Sequence, residues 1–505
     1  MATGARHRTG VAPGDLKIWW ILAVLVTAQL MVVLDATIVN IALPTAQKDL
    51  GMPADMRQWV VTAYSLAFGG LLIIGGRIGD RVGRRTTFLI GVVGFAVAST
   101  MGGLAPTYHV LIAARGLQGA FGALMAPAAL SLVTVTFEGL PTRPKAFGIW
   151  GAASGAGGAI GLLLGGFLTE YLTWRWCLLV NIVFAVIAFV GAVVLLPRTL
   201  PDHDVSVNPL SAVLIAGGLF GIVYGLSHAE TAGWSDPATL VLLIGGVVLV
   251  AIFLMLQRTL TSPLLPLRVL SNRFRGGALT AVLFAGSGLF GVFLFLTYYL
   301  QDTLGFTAMR TGLAFLPMVA VLATTSALVG AFFLVRIGPR RLVGTGMVIG
   351  AFALALMTRF DDSTTYFPGV LVPLLFAGLG VGMLFASALG TATLGLRDDD
   401  AGVGSSLVNT SQQVGGAIGI ALLSTMAASA TASHLTTLMT DLKLTSPTSA
   451  VTSQAALAGY HTAFWWSAGI FLFGAVLCTL IFPPGPAPRS VRADVSTAAP
   501  AAPAD

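Results

Sequence analysis

Apolar residues fill this chain in long blocks, parted by short segments where Gly, Pro, Asp and Arg gather. Fourteen blocks can be marked, at 18–43, 58–76, 86–105, 110–134, 146–168, 177–197, 210–228, 239–257, 276–300, 313–335, 342–358, 368–392, 402–428 and 462–482. Most are close to the ~20 residues that a helix needs to cross a bilayer. The pattern therefore predicts an all-α membrane protein with fourteen transmembrane helices.

Composition agrees, since only 9% of the 505 residues are charged, against about a quarter in a soluble protein. An even number of spans puts both termini on one side. With that side taken as the cytoplasm, 20 of the 27 Lys and Arg residues fall in inner segments, six fall in outer ones, and Arg115 lies within a span. This is the positive-inside distribution. The net charge of +7 is thus a signature of topology, and nucleic acid is not expected as a partner. The first span is too long for a signal-peptide core and has no small-residue cleavage site after it, so it is read as uncleaved.

The inner loop Gly75-Gly76-Arg77-Ile78-Gly79-Asp80-Arg81-Val82-Gly83-Arg84-Arg85 has a degenerate echo in Arg336-Ile337-Gly338-Pro339-Arg340-Arg341 after the tenth span. The fifth and thirteenth spans are both rich in small residues. Both correspondences fit two equivalent six-helix halves around an inserted pair, a 6 + 2 + 6 order of the parallel-repeat kind used by rocking transporters. The expected boundaries are a cytoplasmic N-terminus at 1–17, a first bundle at 18–200, a hairpin at 201–260, a second bundle at 261–483 and a disordered cytoplasmic tail at 484–505. The Ser-, Thr- and Ala-rich stretch at 430–459 reads as a mobile outer loop.

Candidate chemistry begins with Asp35, a lone acid in the apolar first span. An ionisable group in hydrocarbon is costly, and this one points to proton-coupled work. Helical spacing groups it with Met31, Ile38, Val39 and Ala42. In the fourth span Arg115, Gln118, Gly119 and Gly122 share a face. At about 1.5 Å of rise per residue, Asp35 and Arg115 reach matching depths, so they can pair directly or through water and Gln118. In the fifth span Gly151, Gly155 and Gly158 line one face, and Gly157, Gly161 and Gly165 recur every fourth position, spacing that permits close helix approach. Span thirteen carries Ser405, Asn409, Gln412, Gln413 and Gly416 as a polar stripe. An aromatic cavity lining is sought in Trp59, Tyr64, Trp150, Phe293, Tyr298 and Phe315, beside Met31.

Several chemistries are not indicated. None of the four lysines follows a glycine, so no phosphate-binding loop for ATP is present. The His residues lack metal-ligand spacing, and no nucleophile elbow occurs. Cys177 and Cys478 both lie in apolar stretches and read as core residues. No enzyme, metal or cofactor is expected; the energy source is the proton gradient.

These motifs resemble the major facilitator superfamily, specifically its fourteen-span drug/proton antiporter branch. The resemblance covers roughly residues 15–485. Leu34 to Pro44 is similar to that branch's first-span signature, and Gly76 to Arg85 to the superfamily loop between spans two and three. Leu111 to Gly119 resembles the span-four proton-coupling motif, Gly151 to Gly166 the span-five antiporter motif, and Trp174-Arg175-Trp176 with Asn181 the entry to span six. The resemblance implies proton coupling by Asp35 and Arg115, and a cytoplasmic gate at Asp80 with Gly76, Gly83 and Arg84. It places Gly151, Gly155, Gly161, Gly165 and Gly166 in the antiporter helix. Leu162 stands where the motif has proline, as does the Ile182-Val183 pair after Asn181, so less bend is expected in span five.

The implied function is a multi-pass, monomeric plasma-membrane exporter of lipophilic neutral or monocationic drugs or antibiotics. A metabolite or nutrient transporter of the same fold is an alternative, and a non-transporting membrane sensor is another.

Overall fold

The computed structural model describes residues 16–137, 140, 142–197, 208–260, 263–265, 267, 272–392, 401–444 and 446–485. Of the expected N-terminal segment 1–17 and disordered tail 484–505, residues 1–15 and 486–505 lie outside the described residues. The first six long helices are α1 (Leu16–Asp49), α2 (Trp59–Val82), α3 (Arg84–Gly103), α4 (Tyr108–Thr136), α5 (Arg143–Tyr171) and α6 (Trp176–Leu195). A hairpin follows, α7 (Pro209–Ala232) and α8 (Pro237–Thr259). The remainder are α9 (Arg273–Tyr298), α10 (Ala308–Leu328), α11 (Pro339–Met357), α12 (Leu371–Ala392), α13 (Ala401–Asp441) and α14 (Ser449–Ile481). Twelve helices among the described residues are long and apolar enough to cross a membrane. No strand occurs among those residues.

The expected loop at 430–459 is instead mostly helix, and only residues 442–448 separate α13 from α14. The hydroxyls of Thr436, Thr437 and Thr440 donate to carbonyls one turn back, at 2.8–3.1 Å. Polar side chains satisfied in this way do not end a helix. Thr448 then caps α14 by accepting from Val451 N.

Packing follows a repeated plan. In the first group α1 packs on α5 and α6, α2 and α3 pack on α4, and α3 on α6. Among α9–α14, the helix α9 packs on α13 and α14, α10 and α11 pack on α12, and α11 on α14. Each contact in one group thus has a counterpart eight helices later. The short connections repeat too. Gly83 joins α2 to α3 at φ +102°, and Gly338 precedes α11 at φ +85°, backbone conformations that glycine adopts without strain. Arg85 donates to the carbonyls of Ala192 and Val193 at the end of α6, and Arg273 to those of Leu480 and Ile481 at the end of α14. Both arginines satisfy orphan carbonyls at a helix C-terminus.

The groups meet along two seams, α2 against α13 and α5 against α10. At one end of the bundle, where α1 finishes, they are bolted together. Lys48 Nζ sits 2.7 Å from Asp302 Oδ1. Tyr298 Oη donates to Gln47 Oε1 at 2.7 Å, and Gln301 Nε2 to Ile41 O at 3.1 Å. The Met309 N–H donates to Glu170 Oε2 at 2.9 Å.

Candidate functional site

Asp35 sits midway along α1, a helix rich in Leu, Ile, Val and Ala, and its side chain is 0% exposed. A carboxylate in such surroundings is stable only when its charge is answered and its lone pairs are filled. Both conditions are met. Arg115 Nη1 lies 2.5 Å from Asp35 Oδ2. Gln118 Nε2 donates to Oδ1 at 3.0 Å, and Asn181 Nδ2 donates to the same oxygen at 2.8 Å. Arg115 and Gln118 reach it together because residues three apart on α4 share a face.

Further contacts hold the donors. Ser99 Oγ on α3 accepts from Gln118 Nε2 at 2.5 Å and from Asn181 Nδ2 at 3.2 Å. Arg115 Nε donates to Val60 O at 3.0 Å, and Nη1 to Gln118 Oε1 at 2.9 Å. The guanidinium lies 4.3 Å from the centroid of the Tyr64 ring, a cation–π contact that is stronger when desolvated. Five helices of the first group, α1, α2, α3, α4 and α6, thus converge on one acid. Chemically, the arrangement is a titratable group facing one fixed cation and two neutral donors. A proton on Asp35 would remove the charge that binds Arg115.

Asn181 and Ser99 are members that sequence reasoning did not assign to this site, and Tyr64, sought as a cavity lining, joins it through its ring. The available signal for Asn181 was an amide inside an apolar helix. Ser99 carries none, because small hydroxyls are common in membrane helices.

The glycines of α5 divide into two faces. A methyl group built on Gly157 would lie 3.0 Å from Val33 Cγ1, on Gly161 would collide with Thr37 Oγ1, and on Gly165 would lie 2.9 Å from Ile38 O. This face packs onto α1 on either side of Asp35. On the other face a methyl on Gly166 would lie 2.8 Å from Met309 Cα, and one on Gly312 would lie 2.5 Å from Leu162 O. Gly151 and Gly158 have no described atom within 4 Å of such a methyl. The surroundings of Gly155 lie outside the described residues.

At the α2–α3 turn, Gly83 takes the positive φ noted above, and a methyl on Gly76 would lie 3.7 Å from Pro127 Cβ of α4. Arg84 is half-buried, and the side chain of Asp80 lies outside the described residues.

The residues sought as a cavity lining do not form one surface. Met31 and Tyr64 are buried within the first group, whose apolar cluster also takes in the partly buried Trp150. Phe293 and Phe315 pack at a tilt within the second, ring centroids 5.1 Å apart. Tyr298 belongs to the bolted end and lies under Arg57, 4.3 Å from its guanidinium. Trp59 donates to Ser227 Oγ of α7 at 3.0 Å. Gln413 is buried, and a methyl on Gly69 would lie 2.8 Å from its Cβ; Gln412 is half-buried and Asn409 exposed. No group of His, Cys, Asp and Glu among the described residues could hold a metal ion.

Comparison with known proteins places this geometry. Residues 25–420 match the model of the Major Facilitator Superfamily. The chain is 45% identical over 469 residues to puromycin resistance protein pur8 of Streptomyces alboniger, covering 92% of each chain. It is 38% identical to cephamycin export protein CmcT of Amycolatopsis lactamdurans, covering 80% of this chain and 84% of that one. It is 35% identical to a tetracenomycin C resistance and export protein of Streptomyces glaucescens, covering 81% and 76%. Among solved structures, the inward-facing, occupied bacterial homologue of the human lysosomal transporter Spinster superposes with a TM-score of 0.62 at 15% identity, over 94% of this chain and all of that one. The POT family transporter PepTSo gives 0.64 at 16% identity, over 92% and 97%. At such identities these two show the fold alone. With its apolar helices and its family match over most of its length, the chain belongs to the Major Facilitator Superfamily, as a multi-pass transporter of the cell membrane and not an enzyme.

Proposed function

We propose that this transporter is a proton-coupled antiporter that exports lipophilic, neutral or monocationic antibiotics by alternating access. The observation that carries this is Asp35, fully buried and held, among the described residues, by Arg115, Gln118 and Asn181. A charged Asp35 ties α1 to α4 and α6; a protonated one releases Arg115 and loosens that tie. Binding of a proton therefore changes the relative free energies of two helix arrangements, which is what coupling requires. The sequence similarity to proteins named for puromycin, cephamycin and tetracenomycin C supports the substrate class.

In this reading all fourteen long helices span the bilayer as 6 + 2 + 6, with both termini in the cytoplasm. Residues 18–200 and 261–483 are the two bundles, 201–260 is the hairpin, and the protein works as a monomer. The bolted end, by the distribution of Lys and Arg, faces outside, so the structure is closed outward. Gly76, Asp80, Gly83 and Arg84 form the cytoplasmic gate that closes when the outer end opens.

The test is uptake of an antibiotic or dye into inside-out vesicles under an imposed proton gradient. Asp35→Asn should abolish gradient-driven uptake while substrate exchange without a gradient persists. Gradient-driven uptake at the wild-type rate in Asp35→Asn would sink the coupling role.

A further inference from the structure

The two seams between the helix groups are counterparts: the correspondence that takes α2 to α10 also takes α13 back to α5. The α7–α8 hairpin breaks this equivalence. It is a stiff unit, since Gly218, Gly221 and Gly225 of α7 press against α8, where a methyl on Gly221 would lie 3.1 Å from Leu242 O. Among the described residues its main contacts lie along the α2–α13 seam. Leu219 and Val223 of α7 form one apolar cluster with Leu66 of α2 and with Val414, Ala417 and Ala421 of α13. Trp59 on α2 donates to Ser227 Oγ, and Thr425 on α13 donates to Leu226 O at 2.9 Å. Toward the other end of α2, Arg77 Nη2 donates to Pro263 O at 2.8 Å, and Leu264 and Leu265 are buried beside it. This seam is covered along its length.

Among the described residues no helix covers the α5–α10 seam, and it is tight at one end only. Leu162 and Gly166 meet Gly312, Ala308 and Met309. One and three turns further along the same face, a methyl on Gly158 or Gly151 would meet no described atom within 4 Å, nor would one on Gly330, just beyond α10. The close contacts described between the two helices are therefore confined to the bolted end.

We infer that the hairpin shuts one lateral opening of the transporter, leaving the half of the α5–α10 seam beyond the bolted end as the single portal by which a lipophilic substrate dissolved in the bilayer reaches the space between the groups. This rests on the export reading above. Gly151 and Gly158 on α5 and, by helical spacing from Gly312, Ala323 and Gly330 present small residues along this half, so it offers passage with little side-chain obstruction there and selects chiefly by solubility in lipid.

The test uses single cysteines at Gly158 and Gly70, which sit at similar depth on α5 and α2, in a Cys177→Ala, Cys478→Ala background. A methyl on Gly70 would lie 3.7 Å from Leu219 Cδ1 of α7, in ordinary contact, so both positions accept the change. Each is labelled with bimane in liposomes of phosphatidylcholine carrying a nitroxide midway along one acyl chain. Loss of fluorescence at Gly158→Cys, with little at Gly70→Cys, is expected. Equal quenching at both, or quenching at Gly70→Cys alone, overturns the proposal. In the transport arm, Gly158→Phe should lose export of a membrane-partitioned dye while its thermal midpoint matches wild type; full export overturns the portal. A wild type that moves no dye sinks the export reading, and the quenching result still judges the portal.

Discussion

At the residue scale, the balance at Asp35 is between desolvation and pairing. Removing one partner of a buried ion pair strands the other charge, at a cost of about 3–5 kcal/mol. Arg115→Leu should therefore lower stability by roughly that amount, read as a drop in the unfolding midpoint in detergent. Adding Asp35→Asn should recover part of the loss, since the stranded charge disappears, and the double variant should fall short of the sum of the singles. Additive effects would mean that the contact is not the source of cohesion. The pairing of Asp35 with Arg115 was legible in the sequence because helical rise fixes depth, and both residues count from marked span ends. The third donor was not, because which helix stands beside α1 depends on lateral packing. The same ignorance of facing explains Tyr298. Its aromatic ring suggested a cavity wall, whereas its hydroxyl serves the bolt to Gln47.

At the element scale, close approach of helices and the bolted end are separable devices. The α1–α5 contact leaves no room at Gly165, where a methyl already meets Ile38 O at 2.9 Å. Gly165→Val should push the helices apart and destabilise by about 1–3 kcal/mol, as overpacking does. Gly151→Val, in open space, should leave the unfolding midpoint unchanged. At the bolted end the partners differ in burial. Lys48 is 72% exposed, so its pair with Asp302 contributes little. Tyr298 is 1% exposed, and losing its hydroxyl leaves Gln47 Oε1 short of a donor, which costs about 1 kcal/mol or more. Tyr298→Phe should shift the closed-to-open ratio by about fivefold and Lys48→Ala by less. Spin-label distances between Ala54→Cys and Asp362→Cys would report both; a larger shift from Lys48→Ala would contradict the ranking. The sequence was least informative about elements where composition fits two states. Thr-rich residues after 430 looked like loop, but their hydroxyls have backbone partners in a helix.

At the scale of the whole molecule, the helix contacts recur at a spacing of eight helices, while the sequence carries no trace of where the hairpin packs. Both hairpin helices are apolar around most of their circumference, as exposed Val241, Ile244, Val248 and Met255 on α8 show, so no face marks what they cover. Under the proposed alternating access its attachment matters, because α7 contacts both groups near the bolted end and would have to give up one grip if that end opened. Its bond to α2 runs through Trp59 and Gln58 to Ser227. Its contact with α13 adds three buried apolar residues, Val414, Ala417 and Ala421, where α2 supplies Leu66. The larger apolar contact is the harder to break, so the hairpin should travel with α13 and part from α2. A short thiol cross-link between Gln58→Cys and Ser227→Cys should then arrest transport. One between Leu226→Cys and Thr425→Cys should leave it running, both in the background lacking Cys177 and Cys478 and with reduction restoring activity. The reverse pattern would assign the hairpin to the first group, and arrest by both links would mean that α7 must slide against each group in every cycle.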